Sequence, residues 1–85
     1  MAKITWTVEH EWEYNEKRIV TKTKKLLADY PNYTEKDLDD ALIDVIDEEI
    51  MGEDDDVYYS FPSECLNRIK DDIKKKYFIK QLTLF

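Results

Sequence analysis

With 85 residues and 42% hydrophobic side chains, the chain carries enough apolar material for one core, and burying only about 60–65% of its unfolded surface leaves it modestly stable. Its formal charge of −7 opposes binding to nucleic acid or anionic membrane and favours a basic partner. A lone Cys65 excludes an intrachain disulfide, and no apolar run approaches a signal or membrane-spanning segment, so a soluble protein of a reducing cytoplasm is expected.

The charge is uneven along the chain. Residues 1–34 hold six Lys/Arg against five Asp/Glu, residues 35–56 hold one against twelve, and residues 57–85 hold six against three. The acidic character therefore sits in one quarter of the molecule.

From Ile4 to Tyr14 the sequence alternates, with Ile4, Trp6, Val8, His10, Trp12 and Tyr14 on one face and Thr5, Thr7, Glu9, Glu11 and Glu13 on the other. This period of two predicts a half-buried strand. A turn at Asn15-Glu16 would set Glu13 opposite Arg18, Trp12 opposite Ile19, Glu9 opposite Lys22 and Val8 opposite Thr23, a match of charge and apolarity that predicts a hairpin. Asn-Glu lacks the glycine of tight primed turns, and Ile19, Thr23, Leu26 and Tyr30 also fit a helical stripe. The reading adopted is a strand to about Thr21 followed by a short helix through Leu26, Leu27 and Ala28.

Tyr30-Pro31-Asn32 breaks that helix, because proline lacks an amide hydrogen and pushes the preceding residue out of the α region. Thr34-Glu35-Lys36-Asp37 has the form of a capping box with Asp in the Glu position, and Leu38, Ala41, Leu42, Val45, Ile46 and Ile50 form one stripe. A helix from about 35 to 51 follows, with Gly52 placed to cap it. Val57, Tyr59 and Phe61 alternate with Tyr58 and Ser60 and predict a short extended stretch. Pro62-Ser63-Glu64 opens a third helix with Leu66, Ile69, Ile73 and Tyr77 as its buried stripe and Lys74 to Lys76 at its C-terminal end. Phe78 to Phe85 reads as a final strand. The expected fold is a single α+β domain spanning 1–85, in the order β-β-α-α-(β)-α-β, with an antiparallel sheet packed against the helices.

The residues that usually carry catalysis are sparse. His10 is the only histidine, and Glu9 and Glu11 point to the opposite face of its strand, so they cannot join it around a metal. Cys65, in the first turn of the third helix, has no second cysteine or histidine partner and reads as a structural thiol. The acidic stretch from Asp44 to Asp56 lacks the Asp-x-Asp-x-Asp-Gly spacing of a calcium loop, and one glycine cannot build a phosphate cradle. No enzyme, cofactor or metal site is expected.

Two resemblances bear on function. Leu26 to Leu38 is similar to the turn between short helices in helix-turn-helix domains, including small antitoxins, but the second helix carries Asp39, Asp40, Asp44, Asp47 and Glu48, which phosphates would repel. An ordinary helical hairpin accounts for it better. On that helix Asp37, Asp40, Asp44, Asp47 and Glu48 recur at intervals of three and four, about 5–6 Å apart and comparable with phosphates along a strand. Each like-charged pair costs about 0.2–0.5 kcal/mol, so this face is not optimised for stability. Glu53, Asp54, Asp55 and Asp56 extend the row toward Tyr58, Tyr59 and Phe61.

In size, charge and acidic helix the chain resembles the class of small phage-encoded inhibitors of host defence, including anti-CRISPR proteins and DNA mimics. The resemblance implies occlusion of a basic surface on a host protein, such as a nuclease complex, without direct contact to nucleic acid or membrane. The expected partner-binding residues are Asp37, Asp40, Asp44, Asp47, Glu48, Glu53, Asp54, Asp55, Asp56, Tyr58 and Tyr59. The alternatives are a structural or assembly subunit, including a homodimer, whose acidic face serves only solubility, and an antitoxin-like module reading DNA through Arg68, Lys70, Lys74, Lys75, Lys76 and Lys80.

Overall fold

A computed structural model describes residues 2–78. A short antiparallel hairpin, β1 (Ala2–Thr5) and β2 (Glu11–Tyr14), is followed by α1 (Glu16–Leu27), α2 (Glu35–Met51), α3 (Asp55–Ser60) and α4 (Ser63–Ile73), which runs on into a π-helical turn at Lys74–Phe78. The result is a small α+β domain in which hairpin and helices share one core.

The alternation across residues 4–14 describes the face correctly and the path incorrectly. Ala2 pairs with Tyr14 and Ile4 with Trp12, placing the apolar sets of both strands on one side. Between them the chain reverses at Thr7 to His10: the Trp6 amide donates to the His10 carbonyl at 3.1 Å, and the Glu9 amide donates to Thr7 Oγ1 at 3.3 Å. A threonine hydroxyl bonded two residues ahead is a turn device that hydrophobic periodicity does not register. Val8 consequently stands fully exposed at the tip.

The expected second strand over 17–21 is helix instead, so the pairings of Glu13 with Arg18 and Trp12 with Ile19 do not form. Asn15 is an N-cap rather than a hairpin turn, its Oδ1 accepting from the Arg18 amide at 3.1 Å. The buried stripe of α1 is Ile19, Val20, Thr23 and Leu27, while Leu26 and Tyr30 lie exposed. Thr23 resolves its buried hydroxyl by donating to the Ile19 carbonyl at 2.7 Å.

The α2 helix follows its sequence closely. Thr34 Oγ1 accepts from the Asp37 amide at 3.2 Å and Asp37 returns the bond to the Thr34 amide at 3.0 Å, closing the capping box. Leu38, Ala41, Leu42, Val45, Ile46 and Ile50 are all buried, packing α2 against α1 and α4. Across the connection at Pro31, α1 and α2 form the helical hairpin. The expected extended stretch at Val57 to Phe61 is instead α3, begun by Asp54 and favoured by Asp55 and Asp56 in its first turn. Its helical turn sets Val57, Tyr58 and the following Phe61 against the core and Tyr59 outward.

In α4, Ser63 opens the helix after Pro62, and Cys65, Ile69 and Ile73 are buried with Leu66 partly so. Tyr77, expected on this stripe, is exposed; the buried residue near the end is Lys74. The expected strand from Phe78 onward begins inside the π-helical turn, and its remaining residues lie outside the described ones.

Candidate functional site

The acidic segment divides into carboxylates that hold the fold and carboxylates that do not. Glu49 is mostly buried between α1 and α2, 3.0 Å from Arg18 Nε and 2.7 Å from Lys22 Nζ. Lys74, 7% exposed, is gripped by Glu35 and by Asp39, whose Oδ1 lies 2.8 Å from Nζ. Burial alone would lower the Lys74 pKa, but hydrogen bonds and charge from Asp39 and Glu35 reverse this and raise it. These three acids clamp α1 and α4 onto α2.

The residues singled out from sequence mostly lie outside this clamp. Asp37, Asp40, Asp44, Asp47, Glu48, Glu53, Asp54, Asp55, Asp56 and Tyr59 are exposed, and Tyr58 is half-buried. Of the nine carboxylates among them, four have structural roles or local partners: Asp37 closes the capping box, Asp40 meets Lys36 at 3.3 Å, Glu53 Oε1 accepts from Trp12 Nε1 at 3.0 Å, and Glu48 reaches Lys22. Glu48 lies 3.8 Å from Lys22, at the limit of an ion pair and largely in water. Among the described residues, Asp44, Asp47, Asp54, Asp55 and Asp56 take no ion-pair partner.

A groove of about 380 Å³ that sequence reasoning missed includes Asp47 in its lining. It is lined by Asp47 and Ile50 of α2, Tyr58 and Tyr59 of α3, and Phe61, Pro62, Ser63 and Leu66 around the α3–α4 corner. Tyr58 and Tyr59 pack edge to face at 5.2 Å, yet Tyr59 remains 80% exposed. Phe61 is not a free anchor, because it is held edge-on by Trp6 at 4.9 Å and Trp12 at 5.8 Å. That cluster, with Trp6 Nε1 donating to Ser60 Oγ at 3.3 Å, fixes the α3–α4 corner against the hairpin. Other grooves lie elsewhere with different charge: one carries Lys24 beside Tyr33 and Tyr77, another carries Lys3, Arg68 and Asp72.

The remaining candidates resolve into packing. His10 stacks on Trp6 at 6.0 Å, and its Nδ1 shares a 2.7 Å hydrogen bond with Thr7 Oγ1. Cys65 is buried, and desolvation raises its thiol pKa, opposite to what the helix terminus would do for a reactive thiolate. Among the described residues no three His, Cys, Asp or Glu side chains gather as a metal site, and no helix is long and apolar enough to cross a membrane. Of the basic residues on α4 and its extension, Lys70 contacts Asp71, Lys74 is buried, and Lys76 contacts Glu16 and Asp72 at 3.1 and 3.2 Å. Arg68 and Lys75 are exposed without such contacts among the described residues, and Lys80 lies outside them. No protein-family model, curated protein or solved structure matches the chain.

Proposed function

We propose that this protein is a non-enzymatic binding protein that inhibits by occlusion, laying the acidic face of α2 and α3 against a Lys/Arg-lined surface of a nucleic-acid-handling protein. The observation that carries this reading is the set of exposed carboxylates at Asp44, Asp47, Asp54, Asp55 and Asp56, which take no ion-pair partner among the described residues. Like charges held together without internal counterions cost stability, and a basic partner converts that cost into attraction and faster encounter. Neither nucleic acid nor membrane is contacted directly, because both would repel this face. Action in the cytoplasm, on a nuclease or similar host complex as among phage-encoded counter-defence proteins, is part of the same proposal.

Capture of the protein's partners from the cells that express it, followed by competition, tests the reading. Duplex DNA or RNA loaded on the captured partner should block rebinding of the acidic protein. Undiminished rebinding to the loaded partner rejects occlusion of a nucleic-acid surface.

A further inference from the structure

The groove between α2 and α3 differs from a bare acidic surface in having aromatic walls. Tyr59 is 80% exposed, a large cost in unpaired apolar area for a helix of six residues, and the half-buried Tyr58 packs edge-on against it. Asp47 stands at the rim with no ion-pair partner among the described residues, and Phe61, Pro62 and Leu66 close the far side. At about 380 Å³ the groove falls near the lower end of ligand clefts, which run to about 300–1,000 Å³. That volume is ample for one or two anchoring side chains.

We infer that this groove takes an arginine side chain from the partner protein, its guanidinium stacked on the Tyr58–Tyr59 pair and paired with the Asp47 carboxylate. Charge complementarity selects a cation, since among the described residues Asp47 is the one charged residue lining this groove, whereas one other groove carries Lys24 and another carries Lys3 and Arg68 with Asp72. Among cations, the wall chemistry selects arginine over lysine. A guanidinium is planar and weakly hydrated, stacks on tyrosine faces and can offer a carboxylate two parallel N–H donors, whereas an ammonium is a strongly hydrated point charge. Stems of either side chain can lie on Leu66 and Pro62, so burial of methylene groups does not discriminate between them.

This inference rests on α2 and α3 being the partner face, and the experiment separates the two. Hexa-arginine and hexa-lysine peptides, equal in charge, are titrated into the isotope-labelled protein at fixed ionic strength, with affinity and amide shifts followed by NMR. Both should perturb Asp44 and Asp47. Hexa-arginine should bind about two- to fivefold tighter, the equilibrium equivalent of about 0.5–1 kcal/mol for one exposed cation–π contact. It alone should shift Tyr58, Tyr59 and Leu66 strongly. Tyr59→Leu keeps an apolar side chain without the π face and should erase the preference, while Tyr33→Leu, on a different groove, should leave it intact. Equal affinity of the two peptides, or a preference that survives Tyr59→Leu, overturns the arginine slot and leaves the acidic face standing. Binding of neither peptide overturns both.

Discussion

The indole Nε1 of Trp12, in the buried strand of the hairpin, donates to Glu53 Oε1 at 3.0 Å across 41 residues of sequence. Glu53 is thus the one member of the 53–56 acidic run whose side chain is hydrogen-bonded into the fold among the described residues. Trp12 is 5% exposed, so losing that acceptor leaves its N–H without a partner. Glu53→Ala should cost about 1–3 kcal/mol, whereas Glu53→Gln, which keeps an acceptor oxygen, should cost much less. Urea unfolding of both variants checks the difference, and an equal loss would show that charge rather than the hydrogen bond matters at this position.

Alkaline pH should unfold the protein in stages set by groups that hold protons more tightly when folded. Burial raises the pKa of Cys65 and Tyr14, and carboxylate partners raise Lys74 against its own burial. Hydrogen bonds that the exposed Lys76 donates to Glu16 and Asp72 push its pKa up to about 12. In every case the folded value exceeds the unfolded one, so the associated stability is complete below the unfolded pKa and lost as pH climbs through the folded value. Decline should begin near the ordinary thiol value of 9.0 and steepen from the ordinary lysine value of 10.5 toward about 12. Urea midpoints measured from neutrality upward should fall monotonically, and Lys76→Gln should flatten the last stage. A midpoint that rises over this range would contradict the assignment.

Gly52 ends α2 at φ −80° and ψ −5°, an ordinary right-handed geometry. A Cβ built there would meet the Glu49 carbonyl oxygen at 3.5 Å, an ordinary contact. Gly52→Ala should therefore be tolerated, with a gain of up to about 0.4–1 kcal/mol from the stiffer unfolded chain. Thermal melting checks this, and a marked drop would mean that the helix end samples a left-handed cap.

How far the sequence revealed this arrangement depended on whether the controlling interactions were local. The α2 helix was legible because its capping box lies within four residues and its apolar stripe has a clear period. Residues 17–21 are helix where a strand was expected because Ile19, Val20 and Thr21 are β-branched and the stretch matches the preceding strand in charge, while the N-cap at Asn15 looks like a turn. Val57, Tyr59 and Phe61 satisfied a period of two by coincidence; in the helix Tyr59 parts from the other two and faces out. The exposed carboxylate row was legible from helical spacing. The division between Asp44 or Asp47, without an ion-pair partner among the described residues, and Glu35, Asp39 or Glu49, held by Lys74, Arg18 and Lys22, depended on contacts between distant elements. The groove behind Tyr59 required the packing of α3 on α2 and had no local signature.

Binding and folding can be separated on α2 itself. Replacing Asp40, Asp44 and Asp47 by Asn and Glu48 by Gln removes four charges at nearly constant shape, and relieves repulsion of about 0.2–0.5 kcal/mol per like-charged pair. The lost Lys36–Asp40 and Lys22–Glu48 contacts are largely in water and each worth about as little. The melting temperature should therefore hold or rise slightly. Leu42→Ala, at a fully buried position, should instead cost about 2–5 kcal/mol.

The most direct measurement is the affinity of this four-residue variant and of the parent for the captured partner, each followed from low to high salt. Screening beyond about 8 Å at physiological ionic strength should weaken the parent complex steeply, mainly through its association rate. The variant, folded as stably as the parent, should bind at least about tenfold more weakly and with a shallower salt dependence. Equal affinity of variant and parent, or a parent affinity indifferent to salt, would contradict the account and reduce the acidic face to a solubility device.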